Sequence, residues 1–241
     1  MKRKIEQIIG RRIPFSIKIA IDGPAASGKS TTAKILAKEL GFVYIDTGAM
    51  YRAFTYKVLK NDLKETDIEK IKNLLENTNI DLFYNDGVLN VKIDNEDVTE
   101  VIRTPKVSSF VSEIAAIPEV RVKMVQWQRE LANKEDSILD GRDIGTVVLP
   151  DAFLKIFMVC SLQARAKRRL KELKEKGIDI ALEDVIKDIE KRDRIDSSRS
   201  MGPLKQAEDA ILVDTSNLTI EEQVNFVKNL LIEKLKNELV L

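Results

Sequence analysis

The sequence predicts an α/β fold: a five-stranded parallel sheet with helices on both faces, a small three-stranded antiparallel insert, and a helical lid. Three observations predict it. Apolar runs at Ile17–Ile21, Phe42–Ile45, Ser137–Leu139, Phe153–Cys160 and Ala210–Val213 alternate with helical patterns, as crossover-linked parallel strands require. Between Ile80 and Thr99 the texture changes to short alternating strands joined by Asn85-Asp86-Gly87 and Asp94-Asn95, both turn signals. Finally, Gly23-Pro24-Ala25-Ala26-Ser27-Gly28-Lys29-Ser30 fits G-x-x-x-x-G-K-[ST] at a strand-to-helix turn, which makes the fold one of P-loop NTPase type.

The loop's residue types answer a physical demand. Gly23 and Gly28 let the backbone curl until several N–H groups share one concavity. The helix starting near Lys29 adds its positive dipole end. Lys29 reaches the β- and γ-phosphates, and Ser30 offers a hydroxyl to Mg²⁺. An ordinary Gly-rich turn would need neither the lysine nor this strand and helix. A nucleoside triphosphate site is therefore expected.

Composition narrows the chemistry. The chain has 241 residues, 44% hydrophobic and 33% charged, enough for a sizeable core as one domain or as one domain with an insert. A net charge of +1 gives no bulk attraction to nucleic acid or membrane. No apolar run approaches membrane-spanning length, and basic Met1–Phe15 lacks the apolar stretch of a signal peptide, so a cytoplasmic protein is expected. The lone cysteine, Cys160, reads as a buried structural thiol. With no histidine, Ser-His-Asp and Cys-His mechanisms and His-ligated metals are excluded. Phosphoryl transfer needs none, because its catalysis is positioning and charge neutralisation.

In chain order, residues 1–15 read as a mobile extension, and 16–60 as core carrying the loop. The helix Thr31–Leu40 stops at Gly41. Asp46 ends the second strand, where open α/β sheets bind ligands. Thr47 then suits the cap of a helix on which Arg52 faces the site. Residues 61–118 form a second region: a helix over Asn61–Thr78, the insert at about 80–100, and a helix over Val107–Ile117 carrying Ser112. Residues 119–241 return to the core. They begin with a helix over Val120–Ala132 carrying Arg121. Asn133-Lys134-Glu135-Asp136 imitates the guanine-reading N-K-x-D motif but does not follow a strand, and no glycine has an aspartate three places before it, so it reads as a turn. Arg142-Asp143 at the end of a buried strand demands a ligand or an internal partner. A basic helix with Arg165, Arg168 and Arg169, then a second over Leu182–Lys191 running into Arg192, Asp196 and Arg199, form a lid at about 162–200. Its arginines suit bidentate phosphate contacts, and its closure excludes water. A helix over Glu221–Leu235 ends the chain.

These residues point to a small-molecule kinase, and here the chain resembles a known family, the bacterial cytidylate kinases. The resemblance rests on Ile21-Asp22-Gly23-Pro24, Asp46-Thr47-Gly48-Ala49-Met50-Tyr51-Arg52, Ser112 ahead of Ala115-Ala116, Val120-Arg121, Asp140 through Val148, and Arg192-Asp193, Asp196 and Arg199 ahead of Pro203-Leu204. It covers most of the chain apart from the N-terminal extension. It implies ATP on Gly23, Pro24, Ala25, Ala26, Ser27, Gly28, Lys29, Ser30 and Thr31, with Arg165 of the lid contributing. CMP or dCMP would lie between core and insert. Ser112, Arg121 and Asp143 would read the cytosine; Thr47, Arg52, Arg142 and Arg199 would meet the acceptor phosphate; Arg192 and Asp196 would hold the sugar. Lys29, Arg142 and Arg199 would be catalytic. Mg²⁺ would sit at Ser30, with Asp46 acting through water. Ile195 and Ser197 depart from members with a more charged lid.

Two alternatives stay open from the residues themselves. The acceptor could be another small metabolite, such as shikimate or a different nucleotide. The chain could also be a nucleotide-sensing switch that binds or hydrolyses ATP or GTP. A monomer without nucleic-acid or membrane partners is expected.

Overall fold

The computed structural model describes residues 4–85 and 88–239. In chain order its elements are α1 (Lys4–Ile9), β1 (Lys18–Asp22), α2 (Lys29–Leu40), β2 (Val43–Asp46), α3 (Thr47–Lys60), α4 (Ile68–Glu76), β3 (Ile80–Asn85), β4 (Val88–Ile93), β5 (Glu96–Asp97), α5 (Pro105–Ala115), α6 (Pro118–Ala132), β6 (Ser137–Gly141), β7 (Leu154–Val159), α7 (Leu162–Glu175), α8 (Leu182–Ser198), β8 (Ile211–Asp214) and α9 (Ile220–Glu238). The central sheet has the order β2-β6-β1-β7-β8, and every pairing in it is parallel. Strand side chains alternate between two cores. Ile19, Ile21, Ile138 and Ile156 pack with Leu36, Leu40, Val227 and Leu231 of α2 and α9. Ala20, Ile45 and Leu139 pack with Met50, Phe54, Ile114 and Met124 of α3, α5 and α6. Both faces being covered is why these strands read as apolar runs.

The insert is a separate antiparallel sheet, β3-β4-β5. Asp94 and Asn95, with φ of 49° and 71°, form its two-residue turn; of the turn expected at 85–87, Asp86 and Gly87 lie outside the described residues. The Tyr84 hydroxyl donates to the Tyr44 carbonyl at 2.6 Å, tying the insert to the β2 edge of the core sheet. Helices α7 and α8 share a small cluster of their own, Ala166, Leu173, Val185 and Ile189. Among the described residues no helix is long and apolar enough to cross a membrane.

Several expectations are corrected. The helix expected over Asn61–Thr78 starts only at Ile68, because Asp62 takes a positive φ of 54° after α3 ends. Helix α8 runs on to Ser198, which places Arg192 and Asp196 one turn apart on it. Cys160 is half-buried, with its sulfur accepting from Arg168 at 3.3 Å. The N-terminal segment, from Lys4 on, is packed and not a loose extension. Ile5 and Ile13 are 0% and 2% exposed, Phe15 meets the Phe153 ring at 5.5 Å between centroids, and Arg11 donates to the Leu239 carbonyl at 3.1 Å.

That packing makes the segment part of the α2/α9 core. Ile5→Ala and Ile13→Ala should each cost about 2–4 kcal/mol and lower Tm by several degrees in calorimetry. Removing residues 1–15 should lower it further. An unchanged Tm on removal would refute this role.

Candidate active site

The loop between β1 and α2 is forced into shape by its surroundings. A Cβ on Gly23 would lie 2.3 Å from the Met158 carbonyl oxygen of β7. Gly28 caps α2 at φ +96° and abuts Gln223 of α9, whose side-chain oxygen would lie 2.6 Å from a Cβ. Ala26 adds a further positive φ, 59°. The loop thus wraps the amino end of α2. Lys29 donates to the Pro24 carbonyl at 3.0 Å. Burial, and then the neighbouring Arg142, holds its ammonium pKa below the ordinary lysine range. A polyanion beside it opposes that shift.

Asp140, one residue from the end of β6, gathers the hydroxyls around this loop. Its carboxylate accepts from Ser30 at 2.6 Å and Tyr44 at 2.8 Å, and its carbonyl from Thr47 at 2.6 Å. Burial, and then Asp46, raises its pKa. Asp46 lies opposite it in the β2–β6 register. Asp46, and not Thr47, caps α3, accepting from the Ala49 N–H at 2.7 Å; it also pairs with Arg52 at 3.2 Å. Thr47 is the first helical residue, and its hydroxyl is taken by Asp140. Among the described residues no group of three or more acidic or thiol side chains could hold a metal ion. The oxygens of Ser30, Asp46 and Asp140 suit Mg²⁺, which takes few protein carboxylates and completes its shell with phosphate and water.

The opposite wall carries a buried ion-pair group. Arg121, 1% exposed, donates to Asp143 and to the Ala115 carbonyl, and its guanidinium lies 5.6 Å from the centre of the Tyr51 ring. Arg199 lies 3.7 Å from Asp143 and 3.6 Å from Asp196. Arg142 donates to Asp196 at 2.8 Å; burial acts to raise that carboxyl, but Arg142, Arg199 and Arg192 together keep it below the usual range. Arg192 lines the same cleft with its buried Nε unpartnered. Burial, and then Arg142, lowers its pKa to about 10.

One cleft of about 640 Å³ brings these groups together. Ala25, Ala26, Ser27, Gly28, Lys29, Ser30 and Thr31 line it, with Asp46, Thr47, Arg52, Ser112, Arg121, Arg142, Asp143, Arg192, Asp196 and Arg199. Gly23, Pro24 and Arg165 are not in its lining. Arg165 is turned into the protein, donating to the Ala25 carbonyl at 3.3 Å and to Asp193 at 2.6 Å. Arg168 and Arg169, three and four residues on, line the cleft instead. The sequence reading also missed Asp140 as a site residue, Tyr51, Arg103 and Ser108 on the insert side, and Leu218, Thr219 and Ile220 at the start of α9. The strand-end position that singled out Asp46 applies equally to Asp140.

Gly202 tests the tightness of the ion-pair group. At φ +56°, its Cβ would lie 2.2 Å from Asp143 Oδ2 and 2.6 Å from Arg121 Nη2. Gly177 has a similar φ of +73° but nothing within 4 Å. Gly177→Ala should therefore cost only backbone strain, about 1 kcal/mol, whereas Gly202→Ala should cost about 2 kcal/mol more. Thermal unfolding of both variants distinguishes them; equal losses would mean the pair group tolerates a methyl.

A family model described as cytidylate kinase matches residues 19–233. The cytidylate kinase of Caldicellulosiruptor saccharolyticus is 50% identical over 222 residues, covering 92% of this chain and 98% of that one. That of Lactobacillus johnsonii is 49% identical over 223 residues, covering 92% and 97%. One from Clostridium botulinum is 51% identical over 217 residues, covering 90% and 98%. A model that spans the loop, the insert and the lid, and relatives matched almost end to end, agree with the cleft's own chemistry: the chain belongs to the cytidylate kinase family.

Proposed function

We infer that this enzyme transfers the γ-phosphoryl group of ATP to CMP or dCMP, giving ADP and CDP or dCDP. One observation supports it above the others: the P-loop and the buried Arg121–Asp143–Arg199 group line a single cleft with Arg52, Arg142 and Arg192. The first suits a triphosphate donor. The second suits a base that offers an amine to a carboxylate, and the arginines suit a second anion.

The acceptor phosphate is already ionised at neutral pH, so no general base is needed. The obstacle is repulsion between two anions, and fixed cations lower it. Lys29 and the loop amides hold the donor phosphates, with Arg168 and Arg169 on the lid side. Arg52, Arg142 and Arg199 hold the acceptor phosphate beside Thr47, in line for transfer. Arg192 and Asp196 hold the sugar. Ser112, Arg121 and Asp143 read the base, Asp143 accepting from the exocyclic amine of cytosine. Uracil presents a carbonyl there, leaving two acceptors face to face. Mg²⁺ held at Ser30, with Asp140 and Asp46 through water, would supply charge neutralisation on the donor phosphates. The lid excludes water, so that phosphoryl groups are not lost to hydrolysis.

ADP release should be measured with ATP and CMP, dCMP, UMP, AMP or shikimate, and without acceptor. Strong release with CMP and dCMP, weak with UMP and near none otherwise, is expected; release that ignores the acceptor would make the chain an ATPase or switch. Lys29→Met should lower kcat by about 100-fold or more in a folded protein. Asp143→Ala should lower kcat/KM for CMP at least about 10-fold more than for UMP. Equal losses would remove Asp143 from base recognition.

A further inference from the structure

Asp22 takes no part in that mechanism and does not line the cleft, yet it is buried directly beside the P-loop. It ends β1, one residue before Gly23, and lies opposite Gly141 in the β1–β6 register. Its two oxygens accept from successive backbone amides, Ile144 N–H at 2.8 Å and Gly145 N–H at 2.7 Å. Those residues open the π-helical turn Ile144–Val148 and directly follow Arg142 and Asp143. A Cβ on Gly145 would touch this carboxylate, 3.4 Å from Asp22 Oδ2, and would crowd the Lys155 side chain at 3.2 Å. Burial pushes the Asp22 carboxyl up to about 7, opposed chiefly by the two amides. A buried carboxylate held by amides without a paired cation is costly for stability alone. A positional task accounts for it.

We propose that Asp22 is a positioning residue: by clamping the Ile144 and Gly145 amides it holds Arg142 and Asp143 in register with the P-loop that starts beside it, coupling the acceptor site to the donor site. The proposal rests on the reading of Arg142 and Asp143 as acceptor contacts. Nothing in the base or phosphate chemistry requires Asp22 itself to touch substrate. Its effect is on where the guanidinium and the carboxylate stand, and misplacement by about 1 Å costs about 100-fold in rate.

Asp22→Asn tests it. The amide matches the carboxylate in shape but accepts from only one of the two N–H groups and sets a donor against the other. With CMP, kcat should fall about 10- to 100-fold and KM should rise about 10-fold, while KM for ATP stays within about threefold. The preference for CMP over UMP should shrink, and Tm should move by only a few degrees. A merely structural role would reduce the active fraction and leave KM for CMP and the base preference unchanged, which would overturn the proposal. Gly145→Ala, which sets a methyl against the same carboxylate and crowds the Lys155 side chain beside the clamped amide, should give the same signature more weakly, and it decides the matter if Asp22→Asn does not fold. Asp143→Ala run in parallel separates the two ideas. A base preference moved by Asp143→Ala but by neither Asp22→Asn nor Gly145→Ala overturns Asp22 alone. A preference moved by none of them overturns the base-reading assignment and this proposal with it.

Discussion

Cations buried or half-buried side by side are the constraint on which the rest of the structure depends. Lys29, Arg121, Arg142, Arg192 and Arg199 line one cleft, and the strain shows in the lowered pKa of Lys29 and Arg192, each due to burial first and Arg142 next. The fold offsets it by sharing anions. Asp143 lies between Arg121 and Arg199, and Asp196 between Arg142 and Arg199. Such groups contribute little to stability compared with an apolar core. In the proposed function their value is that the cations stand ready for substrate charge, so little reorganisation is left for the moment of transfer.

The parallel sheet makes that placement possible. Its strands all end on one edge, so Asp22, Asp46 and Asp140 come together from three places far apart in the chain. The side-chain period of two fixes the faces: Ile19 and Ile21 enter one core and Ala20 the other. Slipping β1 by one residue would exchange those faces and carry Asp22 away from the Ile144 and Gly145 amides. The lid is anchored differently. Its helices have their own small cluster, and Arg165 ties that unit to the Ala25 carbonyl of the loop. A unit with few apolar contacts to the sheet is suited to moving as a body.

Signals carried by neighbouring residues were legible in the sequence; those carried by distant ones were not. The five strands, the insert and the P-loop announce themselves through period, turn residues and one strict motif. Asp46 and Thr47 are both good cap residues, and what decides between them is the bond from Thr47 to Asp140, 93 residues away. Arg165 and Arg168 stand within one helical turn, and only the folded chain shows that Arg165 turns to Asp193 while Arg168, held by Thr215, lines the cleft. Residues 4–15 look like a tail because their apolar side chains, Ile5, Ile8, Ile9, Ile13 and Phe15, are interrupted by charged residues; their partners on α2, beside β7 and on α9 are visible only once the chain is folded. Asp22 reads as part of a motif, while its two hydrogen-bond partners lie 122 and 123 residues on.

Arg199 draws these strands together. It closes α8, so its position belongs to the lid, yet it pairs with Asp143, which follows β6, and with Asp196, which also holds Arg142. A ligand that engages Asp143 alters the counter-charge Arg199 feels, and a ligand that engages Arg199 alters that of Asp143. Groups sharing partners in this way respond together, so their effects do not add. In the proposed assignment, lid position, phosphate binding and base reading are therefore linked through one guanidinium, and the Gly202 backbone lies so close to this group that a side chain there would strike Asp143 and Arg121.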